Sequence, residues 1–243
     1  MPHSALALGE LGQGEIALCT HNFTQFSASQ IDDCRGSMST AELARNASFR
    51  QEAHRDRDAV CRGLLRQYLA QLLGTPAEHI ELIKNENGKP MLADSSSQLY
   101  FNYSHSGDHV ALAFCRDTAV GVDIEFAKRR TNLMGVARHF FAPAELASLE
   151  ALPSELQRDR FFRYWTLKEA YLKARGEGIF LGLDKFSFEL DAEDARSIGI
   201  SFSSKDFDNP VGWQFHQLMP VLDYPVAIAL CDSARTFNVQ LHQ

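Results

Sequence analysis

An α+β architecture made of two similar halves is expected from three features of the sequence. A long helical stretch followed by alternating, β-rich segments fills the first half, the same order of elements recurs in the second, and no low-complexity linker parts them. The division falls between residues 1–117 and 118–243. The two halves are expected to share an interface, with the cleft between them as the natural place for a ligand.

The elements follow in order. From Glu15 to Phe23 the sequence reads as a strand, and from Ser48 to Leu73 as a helix, with Val60, Leu64, Tyr68 and Leu72 at fourfold spacing and Gly74-Thr75-Pro76 as its stop. Strand patterns follow near 79–84, 99–105 and 109–116, with Asn87-Gly88 as a hairpin turn. After a strand at 119–126, helical patterns run near 132–141, 143–151 and 154–175. Strands are then expected near 185–190, 199–204, 212–218, 224–231 and 236–241. The order repeats without a clean repeat of the residues themselves.

Composition narrows the function. In this chain of 243 residues, 45% apolar and 23% charged content permits a substantial core, and a net charge of -7 argues against nucleic acid as a partner. Five cysteines, odd in number and without a C-x-x-C pair, read as reduced thiols of a cytoplasmic protein. The start lacks the basic residues and apolar run of an export signal, and no stretch is long and apolar enough to span a bilayer, so no membrane partner is expected.

Several segments carry candidate chemistry. In Val120-Gly121-Val122-Asp123-Ile124-Glu125-Phe126 the alternation sends Asp123 and Glu125 to one side, which fits either a solvated face or paired oxygen ligands for a hard cation such as Mg²⁺. Gly121 beside them leaves room for a bulky ligand. On the helix through Trp165, Glu169 shares a stripe with Phe162 and Trp165, and Lys173 lies one turn on. The two form either an ordinary i,i+4 pair or a third metal ligand and a phosphate-binding lysine. Phe101-Asn102-Tyr103-Ser104-His105-Ser106-Gly107 ends a strand in hydroxyls and an imidazole, suited to a phosphate or simply to a turn. Six arginines between Arg45 and Arg66 make one cationic helix in an acidic chain, and one or two of them are candidates to grip a phosphate.

Taken together, Asn87-Gly88-Lys89-Pro90, Phe101-Asn102-Tyr103-Ser104-His105-Ser106, Val120 to Glu125, and Trp165-Thr166-Leu167-Lys168-Glu169-Ala170 through Lys173, Gly176 and Gly178 resemble the Sfp-type 4'-phosphopantetheinyl transferases over roughly residues 50–190. Tyr103 stands where that family usually has an aliphatic residue. The resemblance implies a pseudo-dimeric fold with coenzyme A and Mg²⁺ between the halves. Asp123, Glu125 and Glu169 would bind the metal. Lys89, Ser104, His105 and Arg57 would hold the adenine and 3'-phosphate end, and Lys173 the pyrophosphate.

The implied reaction moves the phosphopantetheine arm onto a serine of an apo acyl or peptidyl carrier protein. Glu169 is the expected base, directly or through water, with Glu125 the runner-up. Lys128, Arg129 and Arg130 are expected to dock an acidic carrier, if they are not simply a solvated charge run. A monomer is expected, since the symmetry lies within one chain. Two other readings are a metal-dependent phosphohydrolase and a coenzyme A-binding protein without catalysis.

Overall fold

Strands send successive side chains to opposite faces, and here both faces of the central strands are apolar, so each sheet has to be covered twice. The protein is described by a computed structural model at residues 8–178, 182–190, 197–204, 207–232 and 234–242. The extreme N-terminus, where an export signal would start, lies outside the described residues.

The first half comprises β1 (Glu15–Asn22), α1 (Ala28–Gly36), α2 (Thr40–Ala47), α3 (Glu52–Leu73), β2 (Leu82–Lys84), β3 (Pro90–Leu92), β4 (Leu99–Ser106) and β5 (His109–Arg116). The second repeats that order as β6 (Val120–Ile124), α4 (Leu133–Phe140), α5 (Pro143–Glu150), α6 (Ser154–Arg175), β7 (Phe186–Leu190), β8 (Ile198–Phe202), β9 (Trp213–Val221) and β10 (Tyr224–Cys231). A last strand, β11 (Asn238–His242), follows.

The two large sheets are ordered β11-β1-β5-β4 and β6-β10-β9, so in each half the first strand pairs with the last and the last with the one before it. These pairings are antiparallel, whereas β11 runs parallel to β1 with Asn238 opposite Glu15. The C-terminal strand therefore closes the sheet of the first half.

Burial sorts the strand residues into three layers. Ile16, Leu18, Ala111, Ala113, Val122 and Ile228 fill the space between the sheets, each 0% exposed. Their neighbours in sequence face outward: Cys19, Leu112 and Phe114 meet Leu64 and Tyr68 of α3, while Ala227 and Ala229 meet Phe162 and Tyr171 of α6.

The repeat extends to single residues. Helices α3 and α6 are both 22 residues long, and each ends on a glycine in the left-handed region, Gly74 at φ +64° and Gly176 at φ +71°. At matching places before those caps, Arg66 donates to the carbonyls of Ala77 and Ile80 and pairs with Glu42, and Lys168 donates to those of Leu183 and Phe186 and pairs with Glu145. Glu42 closes a capping box with Ser39 at the start of α2, and Glu145 accepts the Ala142 N–H at the start of α5.

Candidate active site

The parity of β6 builds the acidic side of the site. Val120, Val122 and Ile124 enter the layer between the sheets, so Gly121 and Asp123 turn to α6, and Asp123 and Glu125 are buried. Gly121 does not make room for a ligand as the sequence suggests. A Cβ there would stand 2.0 Å from the Ala170 carbonyl oxygen, so the glycine admits the α6 backbone and lets Glu169 and Lys173 come down beside the acids.

Strand β4 flanks β6 and holds it through side chains. Asn102 Oδ1 accepts the Val122 N–H at 3.0 Å, and the Ser104 hydroxyl donates to Asp123 Oδ1 at 2.7 Å. The Ser106 hydroxyl donates to Glu125 Oε2 at 2.6 Å and accepts the Phe126 N–H at 3.0 Å. From α6, Trp165 Nε1 donates to Glu125 Oε1 at 3.0 Å, and Arg129 pairs with the same oxygen at 3.0 Å. Lys173 Nζ lies 2.6 Å from Asp123 Oδ1 and 2.8 Å from Ser104 Oγ. It thus reaches across to β6; among the described residues no ion pair joins it to Glu169.

These contacts set the charge states. Burial, reinforced by Asp123, raises the Glu125 pKa above its ordinary value. Burial and the same neighbour push Glu169 up to about 7 against the opposing pull of Lys173. Asp123 Oδ2 is buried and has no hydrogen-bond partner among the described residues. Among those residues no three carboxylate, imidazole or thiol groups already stand at metal-ligating spacing. The donor set nevertheless fits a hard cation: an orphaned carboxylate oxygen and a second carboxylate raised by burial and then by its like-charged neighbour both call for positive charge, which Lys173 supplies to Asp123.

Beside the acids opens a cavity of about 420 Å³, lined among others by Lys89, Tyr103, Ser104, His105, Glu169 and Lys173. The hairpin β2–β3 forms one wall, fastened by Asn85 and Asn87, whose amides donate to the Gly176 carbonyl at 2.8 and 3.0 Å. Lys89 Nζ donates to the carbonyls of Val120 and Ala174, and burial lowers its pKa to about 8.

His105 leaves β4 on the face opposite Ser104, the face that Phe101 and Tyr103 turn to α3, and meets Arg57 there across the ring of Phe23. Burial, and after it the Arg57 charge, keeps the His105 pKa below its usual value. Most other arginines of the cationic stretch serve the fold: Arg62 and Arg66 pair with Asp58 and Glu42, and Arg55 donates to the carbonyls of Phe49 and Arg50.

The sequence names Asn102, Ser106 and Trp165 only within their motifs and Arg129 only as a docking residue, none of them as a partner of the acids. Their signal was the alternation of Asn102, Ser104 and Ser106, matched to that of the two acids, but it has meaning only once β4 is known to lie along β6. Of the proposed docking residues, Lys128 pairs with Asp223 at 2.6 Å, while Arg129 is turned toward Glu125.

Buried acids answered by a lysine, next to a cavity edged with cationic groups, form an arrangement suited to a phosphate-bearing ligand. Residues 119–229 match the family model described as the 4'-phosphopantetheinyl transferase superfamily, and residues 27–116 match that described as 4'-phosphopantetheinyl transferase, N-terminal. The 4'-phosphopantetheinyl transferase psf-1 of Bacillus pumilus is 30% identical over 212 residues, which cover 87% of this chain and 87% of that protein. The 4'-phosphopantetheinyl transferase HetI of Nostoc sp. is 40% identical over 153 residues, 62% of this chain and 65% of HetI, so the chain spans less than two thirds of that relative. Among solved structures, the holo-[acyl-carrier-protein] synthase of Thermotoga maritima aligns with a TM-score of 0.39 at 19% identity, covering 48% of this chain and 64% of that one. The chain belongs to the 4'-phosphopantetheinyl transferase superfamily.

Proposed function

We propose that this protein transfers the 4'-phosphopantetheine arm of coenzyme A to a serine of an apo acyl or peptidyl carrier protein and releases 3',5'-ADP. The observation that carries this reading is the meeting of Asp123, with its unpartnered oxygen, and Lys173 beside Glu169 at the cavity wall.

In the reaction the carrier's serine oxygen attacks the β-phosphorus, the bond from that phosphorus to the oxygen of 3',5'-ADP breaks, and the serine proton needs an acceptor. Glu169 is proposed as that acceptor, directly or through water, because its carboxylate stands at the cavity wall with no ion pair to Lys173 among the described residues. Lys173 is the proposed contact for the pyrophosphate, where charge grows on the leaving group. Arg57, Lys89, Ser104 and His105 are assigned to the adenine and 3'-phosphate end. Asp123, Glu125 and Glu169 would hold Mg²⁺, which when bound supplies further neutralisation of the pyrophosphate charge. Lys128 and Arg130 are proposed to meet an acidic carrier, with Arg129 committed to Glu125.

A monomeric, cytoplasmic enzyme is proposed. Both halves contribute to the site within one chain, and four of the five thiols are buried. Among the described residues no helix is long and apolar enough to cross a membrane.

The test is to incubate the protein with coenzyme A, Mg²⁺ and an apo carrier and to weigh the carrier. A gain of one phosphopantetheine is expected; free phosphopantetheine with an unchanged carrier would indicate a hydrolase. Glu169→Gln should bind coenzyme A and lose about a hundredfold or more of the rate. An unchanged rate would remove Glu169 as the base.

A further inference from the structure

His105 lines the cavity from β4, Arg57 projects from α3, and one aromatic ring joins them. Phe23 follows β1 in a short helical turn whose backbone is pinned on both sides. Its own N–H donates to the Asp108 carbonyl at 2.8 Å, and Asn22 Oδ1 accepts the Thr24 N–H at 2.9 Å. The ring is partly buried against the core under α3, which leaves it little freedom. The Arg57 guanidinium carbon lies 5.2 Å from the ring centroid, within reach of a cation–π attraction. The His105 ring stands edge-on to the same ring, with centroids 6.3 Å apart at 73°.

Arg57 has little else to hold it. Its ion pair with Asp108 spans 3.8 Å between side chains 36% and 58% exposed, a geometry worth almost nothing in water. A long, mobile side chain that has to present its charge at one point needs a surface to lie on.

We propose that Phe23 is a positioning residue: its ring fixes Arg57 and His105 in the arrangement that receives the 3'-phosphate of coenzyme A. This rests on the assignment of Arg57 and His105 to that phosphate. Phe23 itself lies outside the two segments, 27–116 and 119–229, that match the family models.

The test compares coenzyme A with 3'-dephospho-coenzyme A as donors in the carrier-loading assay. In Phe23→Leu, which keeps apolar bulk and removes the π face, KM for coenzyme A should rise about threefold or more with kcat near that of the parent, from the size of an exposed cation–π contact. KM for the dephospho donor should stay where it was, and Phe23→Tyr should restore the preference. A ring that only packs the core would raise both KM values together, or lower kcat and the melting temperature without changing the preference; either result overturns the proposal, as does an unchanged KM for coenzyme A. Should Phe23→Leu fail to fold, Phe23→Met gives the same readout. Arg57→Ala and His105→Ala are run alongside. If neither lowers the preference for the 3'-phosphate, the assignment of that phosphate fails and this proposal with it. If both do and Phe23→Leu does not, only the role of Phe23 is lost.

Discussion

His21 ends the face of β1 that Ala17 and Cys19 begin, and the parity that places it against α3 also decides its charge. Its Nε2 lies 2.7 Å from the Tyr68 hydroxyl, and burial lowers its pKa to about 4, while the Cys19 thiol nearby is raised to about 12 by the same loss of water. Because the folded pKa lies below the unfolded one, the unfolded chain binds the extra proton first as pH falls. The contribution of neutral His21 to stability is complete above the unfolded value of 6.5 and is lost on acidification toward pH 4, at most about 3 kcal/mol across that window. Urea midpoints measured from pH 7 to pH 4 should decline, and His21→Gln should flatten the decline; a parallel decline in the variant would assign the acid sensitivity elsewhere. Single residues of the site were legible in the sequence in proportion to how local their rule is. Asp123 and Glu125 follow from strand alternation and Glu169 from the helical stripe, whereas the roles of Ser106 and Trp165 come from contacts with residues 19 and 40 positions away.

At the scale of elements, each long helix is anchored by one buried cation, and in the second half both partners are wholly out of water. Lys168 and Glu145 are 0% exposed at 2.7 Å, with the ammonium also 4.3 Å from the Phe186 ring centroid. The Glu145 carboxylate accepts from the N–H groups of Ala142 and Phe188, so this pair ties α5, α6 and β7 together directly before Glu169. Removing one partner leaves an unanswered charge: Glu145→Leu or Lys168→Met alone should cost about 3–5 kcal/mol in denaturant melts, and the double variant considerably less than the sum. Additive losses would mean that the two groups stabilise the fold independently. Helices α3 and α6 were legible because 22 residues display many turns of apolar spacing. Helices α1 and α2 were overlooked, being 9 and 8 residues long, although Ser27 with Gln30 and Ser39 with Glu42 spell out their capping boxes. Short helices owe their stability to what they pack on, and that partner is distant in sequence.

For the whole molecule, the central layer gives neither half a complete core without the other. The repeated order of elements was readable from periodicity, but the return of β11 to β1 was not, since its pairing joins the two ends of the chain. The residue-level match of Arg66 with Lys168 also escaped the sequence, because the two side chains differ and only their shared carbonyl partners reveal the correspondence. Counting back from the glycine caps extends that correspondence to the chemistry. Where α6 carries Glu169 and Lys173, α3 carries Gln67 and Gln71, neutral amides already engaged by Ser37 and by the N–H of Leu8. A framework written twice has thus been furnished for work on one side only, its other side engaged in bracing the segments at Leu8 and Ser37. Calorimetric titration with coenzyme A should accordingly saturate at a single equivalent per chain, and a second equivalent would reveal a twin crevice still open for business.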